Sequence, residues 1–509
     1  MQLASLRSSA SFGILAAALL APISAQAAII ISSGATANMS CTGGTCAPTA
    51  KDAVLNAGDL ETLLASGNVT VTTTGAGVEA QNIDLRVPLS WSSTAALSLA
   101  AHDSVTINRS IAISGSGGLS LSTGSGQNDS LSLGRAAHVT FANLASALTI
   151  DGVPYTLENN IKSLAGAIAA NPGGAYALAG DYDATQDGVY SSVPIPTVFG
   201  GTFEGLGNSI SHLSIEDSMD GNVGLFAQTG SENSAAALRD LRLRNVHVAG
   251  NVSQGVNVGG LVGLDGGLII NCYVSGKVMS DSTAQGVNVG GLVGANGGIG
   301  SITNSFSAAN VTASRAAYGF AGGLVGASYG QILNSGASGS VSGITAGGLV
   351  GALTGYFYTE NSFATGDVSG IAAGGFVGVG GLVDNSYATG NVSATTIGGG
   401  FLGAPQLSIF VESYSTGKVN VAVRKNAGGF AGGNGGMIGP TFFHDYWDTE
   451  TSGLRKHGEG QVKDAPGLKG LTTAQLQSGL PAHFDPTVWA ENPAINNGLP
   501  YLIANPPPK

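Results

Sequence analysis

The chain has 509 residues, a net charge of -12 and only 10% charged residues, against roughly 25% in an ordinary globular domain. So few cations exclude a nucleic-acid binder, which needs a basic surface to neutralise phosphates, and 43% apolar residues exclude a disordered chain. With glycine at 81 positions, what remains is a neutral, glycine-rich, β-forming polypeptide.

The first residues read as an export signal. Arg7 leads into the apolar run Phe12 to Ala21, then Pro22 and the small-residue site Ala25-Gln26-Ala27. This predicts a signal peptide over 1–27 with cleavage near Ala27 or Ala28, because the run is too short to span a bilayer. No later stretch reaches about 18 consecutive apolar residues, so no transmembrane segment is expected in the mature chain. Cys41 and Cys46 flank Thr-Gly-Gly-Thr, close enough for a small disulfide in an oxidising compartment. As zinc ligands they would leave the metal half-coordinated, with no histidine nearby.

The segment 28–195 reads as weakly repetitive β coils with helical insertions. A short helix is expected behind Asp59, an N-cap for Leu60 to Leu64. Val69 to Thr149 alternates polar and apolar residues, as in Val105-Thr-Ile107 and Leu119-Ser-Leu121. A second helix is expected over Leu157 to Ala170, ended by Asn171-Pro172. Asp181-Tyr-Asp183-Ala-Thr185-Gln-Asp187-Gly188 is acidic. Its glycine is at the eighth position instead of the sixth and no distal glutamate follows, so it fails as a calcium loop.

From 196 to 438 the sequence repeats itself. Gly-Gly-Leu-Val-Gly begins at Gly259, Gly290, Gly322 and Gly347, and variants with Phe begin at Gly374, Gly399 and Gly428. The spacings are 31, 32, 25, 27, 25 and 29 residues. Each unit carries a second segment, of which Asn385-Ser-Tyr-Ala-Thr-Gly-Asn-Val392 is typical. Aligned on it, Asn271, Asn304, Asn334, Asn361 and Asn385 share one offset, and Val278, Val311, Val341, Val368, Val392 and Val419 another. One unit cannot bury its apolar side chains alone, but stacked units can. The pattern predicts a valine file inside the stack, with equivalent residues about 4.8 Å apart. It also predicts an asparagine amide ladder at a bend and paired glycines giving close approach and positive φ at the corners. Cys272 stands at a serine position of the repeat and reads as a buried filler.

Propeller blades need longer repeats and leucine-rich repeats a leucine-dense consensus. The expected fold is therefore all-β, a right-handed parallel β-helix (solenoid) with short helices. The segment 439–509, where prolines, tryptophans and charges return, is expected to be an irregular C-terminal cap over an open β edge.

These units resemble the GLUG motif of large secreted bacterial surface proteins. Gly201 to Ile210 looks like the coil preceding such repeats, and Tyr446 to Gly453, Leu471 to Leu476 and Asn497 to Leu502 resemble the segment that closes them. The Ser/Thr-rich part before them is similar to filamentous-haemagglutinin-like chains of Gram-negative bacteria. The resemblance implies a secreted or cell-surface, adhesin-like β-helix. The asparagine-proline signature of two-partner secretion is not found, and the chain ends Asn505-Pro-Pro-Pro-Lys509 instead of in an aromatic strand.

GLUG units also occur in immunoglobulin-cleaving metallopeptidases, but none of the seven histidines begins a His-Glu-x-x-His pair. Lys277, Asp367 and Lys418 share one repeat offset with mixed signs and read as a solvated edge. The densest charge cluster, His444, Asp445, Asp448 and Glu450, lies in the closing segment. The expectation is a non-enzymatic protein without cofactor or metal, binding an extracellular protein or glycan on host or neighbouring cells. The alternative is a polysaccharide lyase or hydrolase, which would need paired carboxylates.

Overall fold

The computed structural model describes residues 28–75, 78–124, 130–230, 236–253, 255–314, 318–355, 357–433, 439–460 and 465–507. The expected signal segment 1–27 lies outside them. The described chain winds as an all-β parallel solenoid. In the N-terminal coils each turn contributes three short strands. Val105 pairs in parallel with Ile83 and Leu131, Leu97 with Val69 and Leu119, and Ile111 with Leu89 and Val139. Alternation with period 2 sends the apolar member of each pair inward, and Ile83, Val105, Leu97 and Ile111 are fully buried.

The parallel winding is interrupted ahead of the repeats. Strands Leu148–Ile150 and Val153–Glu158 pair antiparallel across Asp151-Gly152, both at positive φ (48° and 79°). That is the left-handed geometry a two-residue hairpin requires. Parallel pairing resumes from Val153–Glu158 to Ala175–Leu178 and Thr202–Glu204. The intervening helix is Ile161–Ala170, capped by Asn160, while Leu157 belongs to the strand before it. The first helix, Ala57–Ser66, is capped by Asn56, whose Oδ1 accepts from the Gly58 and Asp59 amides. Asp59 thus sits in the first turn, where its charge favours the helix dipole, and does not serve as the cap.

Among the described residues two sheets of 22 strands flank the repeats. Val248, Val278, Val311, Val341, Val368, Val392 and Val419 face one another rung by rung, all buried. Each such side chain contributes on the order of 1.5–3 kcal/mol when withdrawn from water. A second file follows the pentapeptides, where Leu261, Leu292, Leu324, Leu349, Phe376, Phe401 and Phe430 are all buried. Its three phenylalanines stack with centroids 4.6 Å apart.

The pentapeptide glycines serve close approach only. A Cβ on Gly290 would lie 1.9 Å from the Val293 carbonyl oxygen, and one on Gly291 2.2 Å from that of Gly323. The expected positive φ is found elsewhere, at Asn271, Asn304, Asn334, Asn361 and Asn385 (46–54°). Asparagine tolerates this region best after glycine.

The closing segment does two things. Strands Asp445–Asp448 and Leu468–Leu471 add parallel rungs to the stack. Residues beyond Leu476 turn back along its side, so that Asn505 Nδ2 donates to the Ser335 and Asn361 carbonyls.

Candidate lateral groove

The asparagine file marks a corner of the solenoid, and its amides form no ladder. Asn271 donates to Asp240 Oδ1, Asn385 accepts from Trp489 Nε1, and Oδ1 of Asn334 and of Asn361 is buried without a partner. Asn271 and Asn304 are exposed and the other three half-buried, so the file turns the chain and does not fill the core. The ladder belongs to the residue after each asparagine. The Cys272 amide donates to Ser305 Oγ, Ser305 to Ser335, Ser335 to Ser362, Ser362 to Ser386 and Ser386 to Ser413, at 3.1–3.2 Å. Each hydroxyl from Ser305 to Ser413 donates in turn to the carbonyl two residues earlier, at 2.7–2.9 Å. Every buried polar atom in this stack is thereby paired. Cys272 fills the first serine position, its Sγ 3.5 Å from the Ile270 carbonyl, and burial pushes its thiol up to about 12. Thiolate chemistry is suppressed there.

One residue further on runs a file whose members pair in register: Arg242, Tyr273, Phe306, Gly336, Phe363, Tyr387, Tyr414 and Tyr446. Tyr273 and Phe306 stack at 6.0 Å and 9°. Phe363 leans over Gly336, where a Cβ would meet its ring at 2.6 Å, and reaches Phe306 at 5.8 Å. Tyr387 and Tyr414 continue the stack at 5.4 Å spacings.

The returning tail covers only the far half of this file. Phe484 and Trp489 pack on Tyr414, and Tyr414 Oη donates to the Pro500 carbonyl at 2.5 Å. Phe363, Tyr387, Tyr414 and Tyr446 are buried in consequence, whereas Tyr273 and Phe306 remain half-exposed.

The uncovered half opens into a groove between the N-terminal coils, the first repeats and the end of the tail. It comprises two adjoining cavities of about 1120 and 440 Å³, both lined by Arg135, Asn271, Asn304, Asn334 and Asn505. The smaller also holds Arg242, Arg244, Tyr273 and Phe306, and the larger Tyr155, Glu204, Arg239 and Asp240. Glu204 is 3% exposed, with Oε1 3.8 Å from Arg239 Nε and Oε2 without a hydrogen-bond partner. Burial first, then the charge of Asp240, raises its pKa to about 8. Asp240 is pushed up to about 6 by burial, opposed by its bond from Asn271 and by Arg239 and Arg242. Burial thus separates the proton affinities of the two neighbouring carboxyls, Glu204 holding its proton to higher pH than Asp240.

The carboxylates singled out in the sequence are otherwise engaged. Asp445, fully buried, accepts from the Ser413 and Phe443 amides. Asp448 accepts from the Glu450 and Thr451 amides and from Thr473 Oγ1, and Glu450 from the Thr473 amide. His444 stacks on His483 at 3.7 Å. Asp181 binds Ser209, Asp183 caps Thr185, and Asp187 holds the Tyr182 and Tyr190 hydroxyls. These groups do not converge. Cys41 and Cys46 are bonded across the hairpin Met39–Thr42 and Thr45–Pro48. The groove residues Arg135, Glu204 and Asp240 come from segments far apart in sequence, and only the periodic members Asn271, Asn304, Asn334, Tyr273 and Phe306 left a signal there.

Fold and site together define a parallel β-solenoid with a lateral groove. Residues 254–279, which supply Asn271 and Tyr273, match the GLUG motif family. No curated protein matches the chain. Among solved structures it is similar to a Bacteroides ovatus protein provisionally named an immunoglobulin A1 protease. The two are 18% identical with a TM-score of 0.36, over 65% of this chain and 85% of that one. No helix among the described residues is long and apolar enough to cross a membrane.

Proposed function

We propose that this protein is a secreted or surface-held, adhesin-like solenoid that works by recognition, with the lateral groove as its binding site for an extracellular polymer. The observation that carries this reading is the divided aromatic file, sealed by the chain's own tail over Phe363 to Tyr446 and left open at Tyr273 and Phe306. Stacked, half-exposed rings offer rigid apolar surface at low entropic cost, as recognition surfaces do. The GLUG segment and its implied extracellular setting support the same reading.

The test is an array of glycans and matrix proteins probed with the wild-type chain and with the double variant Tyr273→Ala/Phe306→Ala. The expected result is a set of ligands bound by the wild type and lost in the variant at unchanged circular dichroism. An identical pattern for both proteins would sink it.

A second reading, a polysaccharide-cleaving enzyme, is favoured by one observation only: Glu204 and Asp240 line one cavity with separated proton affinities, as an acid–base pair requires. Release of reducing ends or unsaturated products, abolished in Glu204→Gln, would establish it.

A further inference from the structure

Resting on the reading of the groove as a binding site, we infer that its ligand is a carboxylated polysaccharide, a chain of uronic acid units laid along the file that begins Arg242–Tyr273–Phe306. Three observations lead there.

The first is the placement of cations. In a chain of net charge -12 with 19 basic residues, three arginines converge on one small cavity: Arg135 from the N-terminal coils, and Arg242 and Arg244 from the strand Arg242–Gly250. Arg242 and Arg244 are close enough that Arg244, with burial, disfavours the charge on Arg242. Among the described residues no carboxylate lies within salt-bridge distance of any of the three. Like charges gathered with no carboxylate in direct contact repel one another, and an anion bound among them relieves that repulsion. Guanidinium forks match the planar geometry of a carboxylate.

The second is register. Arg242, Tyr273 and Phe306 occupy the same offset on successive rungs, spaced about 4.8 Å apart. A ligand lying along them meets a cation and then two stacked, half-exposed rings in one line. Alternating charged and flat features are what a polymer of acidic sugar rings presents, with its C–H faces suited to stacking and its carboxylates to the arginines. A small anion would use only one of the two features. The tail already covers the far half of the file, with Phe484 and Trp489 packed on Tyr414 and the Pro500 carbonyl accepting from its hydroxyl.

The third is charge density. Asp181 and Asp240 also act on Arg242, favouring its charged form. Two carboxylates set against three arginines suit a ligand with one charge per sugar, not a densely sulfated one.

The experiment measures binding of fluorescent polygalacturonate, dextran sulfate and neutral dextran to the full chain at two salt concentrations. Polygalacturonate is expected to bind, more weakly at the higher salt, and neutral dextran not to bind. Arg242→Gln/Arg244→Gln and, separately, Arg135→Gln should each weaken polygalacturonate at least tenfold. Arg86→Gln, on a distant coil where Arg86 pairs with Asp84, should change nothing. Polygalacturonate binding indifferent to these arginines overturns the inference, as does tighter, arginine-dependent binding of dextran sulfate. Neutral dextran held through Tyr273 and Phe306 alone also overturns it, but leaves the groove as a binding site. If no polysaccharide binds while the array finds a groove-dependent protein ligand, the inference falls and the proposed function stands.

Discussion

The Ser413 amide donates to Asp445 Oδ1 at 2.9 Å, so a carboxylate ends the ladder that serine hydroxyls build through five preceding rungs. A hydroxyl can accept from the rung before it while donating to its own strand, and a carboxylate can only accept. Asp445 accepts two such bonds, from Ser413 and Phe443, while burial raises its carboxyl well above the ordinary carboxylate range; a two-oxygen acceptor therefore stands where the stack passes into its last rungs.

The ladder predicts which substitutions the repeats tolerate. Ser362→Ala leaves the Ser335 amide buried without an acceptor and should cost about 1–3 kcal/mol. Ser362→Cys should cost less, because Cys272 already fills one position of the same file, with its thiol accepting from the Leu241 amide. Urea titration of the two variants checks the order, and equal losses would contradict the ladder.

The glycines give a sharper contrast. Gly290→Ala would drive a Cβ into the Val293 carbonyl at 1.9 Å, whereas Gly298→Ala meets nothing within 4 Å. The first should destabilise by about 3 kcal/mol or more through forced backbone displacement. The second should stay within about 0.5 kcal/mol. Thermal melts of both variants decide it.

The tail behaves as a separate layer held by its aromatics. Trp489 is 1% exposed, packs on Tyr387, Tyr414 and Phe484, and donates to Asn385. Trp489→Ala should cost about 3–5 kcal/mol of docking and expose the chain beyond Leu476 to proteases, while the parallel rungs keep their far-ultraviolet signal. Limited proteolysis with mass analysis of the fragments reads this directly. Cleavage spread through the repeats instead would show that tail and solenoid unfold as one unit.

What the sequence disclosed follows from periodicity. Val278 to Val419 could be read as a file because a residue that recurs at one offset occupies one place in every coil. The same argument exposed the asparagines, but their chemistry was misassigned. An Asn-Ser pair looks like an amide ladder on paper, yet asparagine is there for its positive φ and the smaller serine carries the bonds. The groove was only partly legible: Asn271, Asn304, Asn334, Tyr273 and Phe306 belong to the repeat, and its charged members do not. Arg135, Glu204, Arg242 and Asn505 lie far apart in sequence and meet only through the winding of the coils and the reversal of the tail, which no local pattern announces. The acidic cluster around Asp445 stood out in composition, and its carboxylates proved to be spent on backbone amides.

Glu204 should leave its mark on stability against pH. Its carboxyl is raised from 4.5 to about 8, chiefly by burial, so between those values the folded chain holds a proton the unfolded chain has released. Stability linked to this group is full below about pH 4.5 and is lost as pH rises toward 8, with a slope of up to about 1.4 kcal/mol per pH unit. Asp240 and Asp265, each raised from 3.8 to about 6, add the same sign at lower pH, so their contribution is complete before Glu204 finishes titrating. Glu204→Gln, which keeps the shape and stays neutral, should flatten the upper part of the profile between pH 6 and 8 and leave the lower part sloping. Denaturant midpoints for wild type and variant at half-unit pH steps measure it. Parallel profiles for the two proteins would mean that Glu204 is ionised in the folded state, through a closer approach of Arg239 than 3.8 Å.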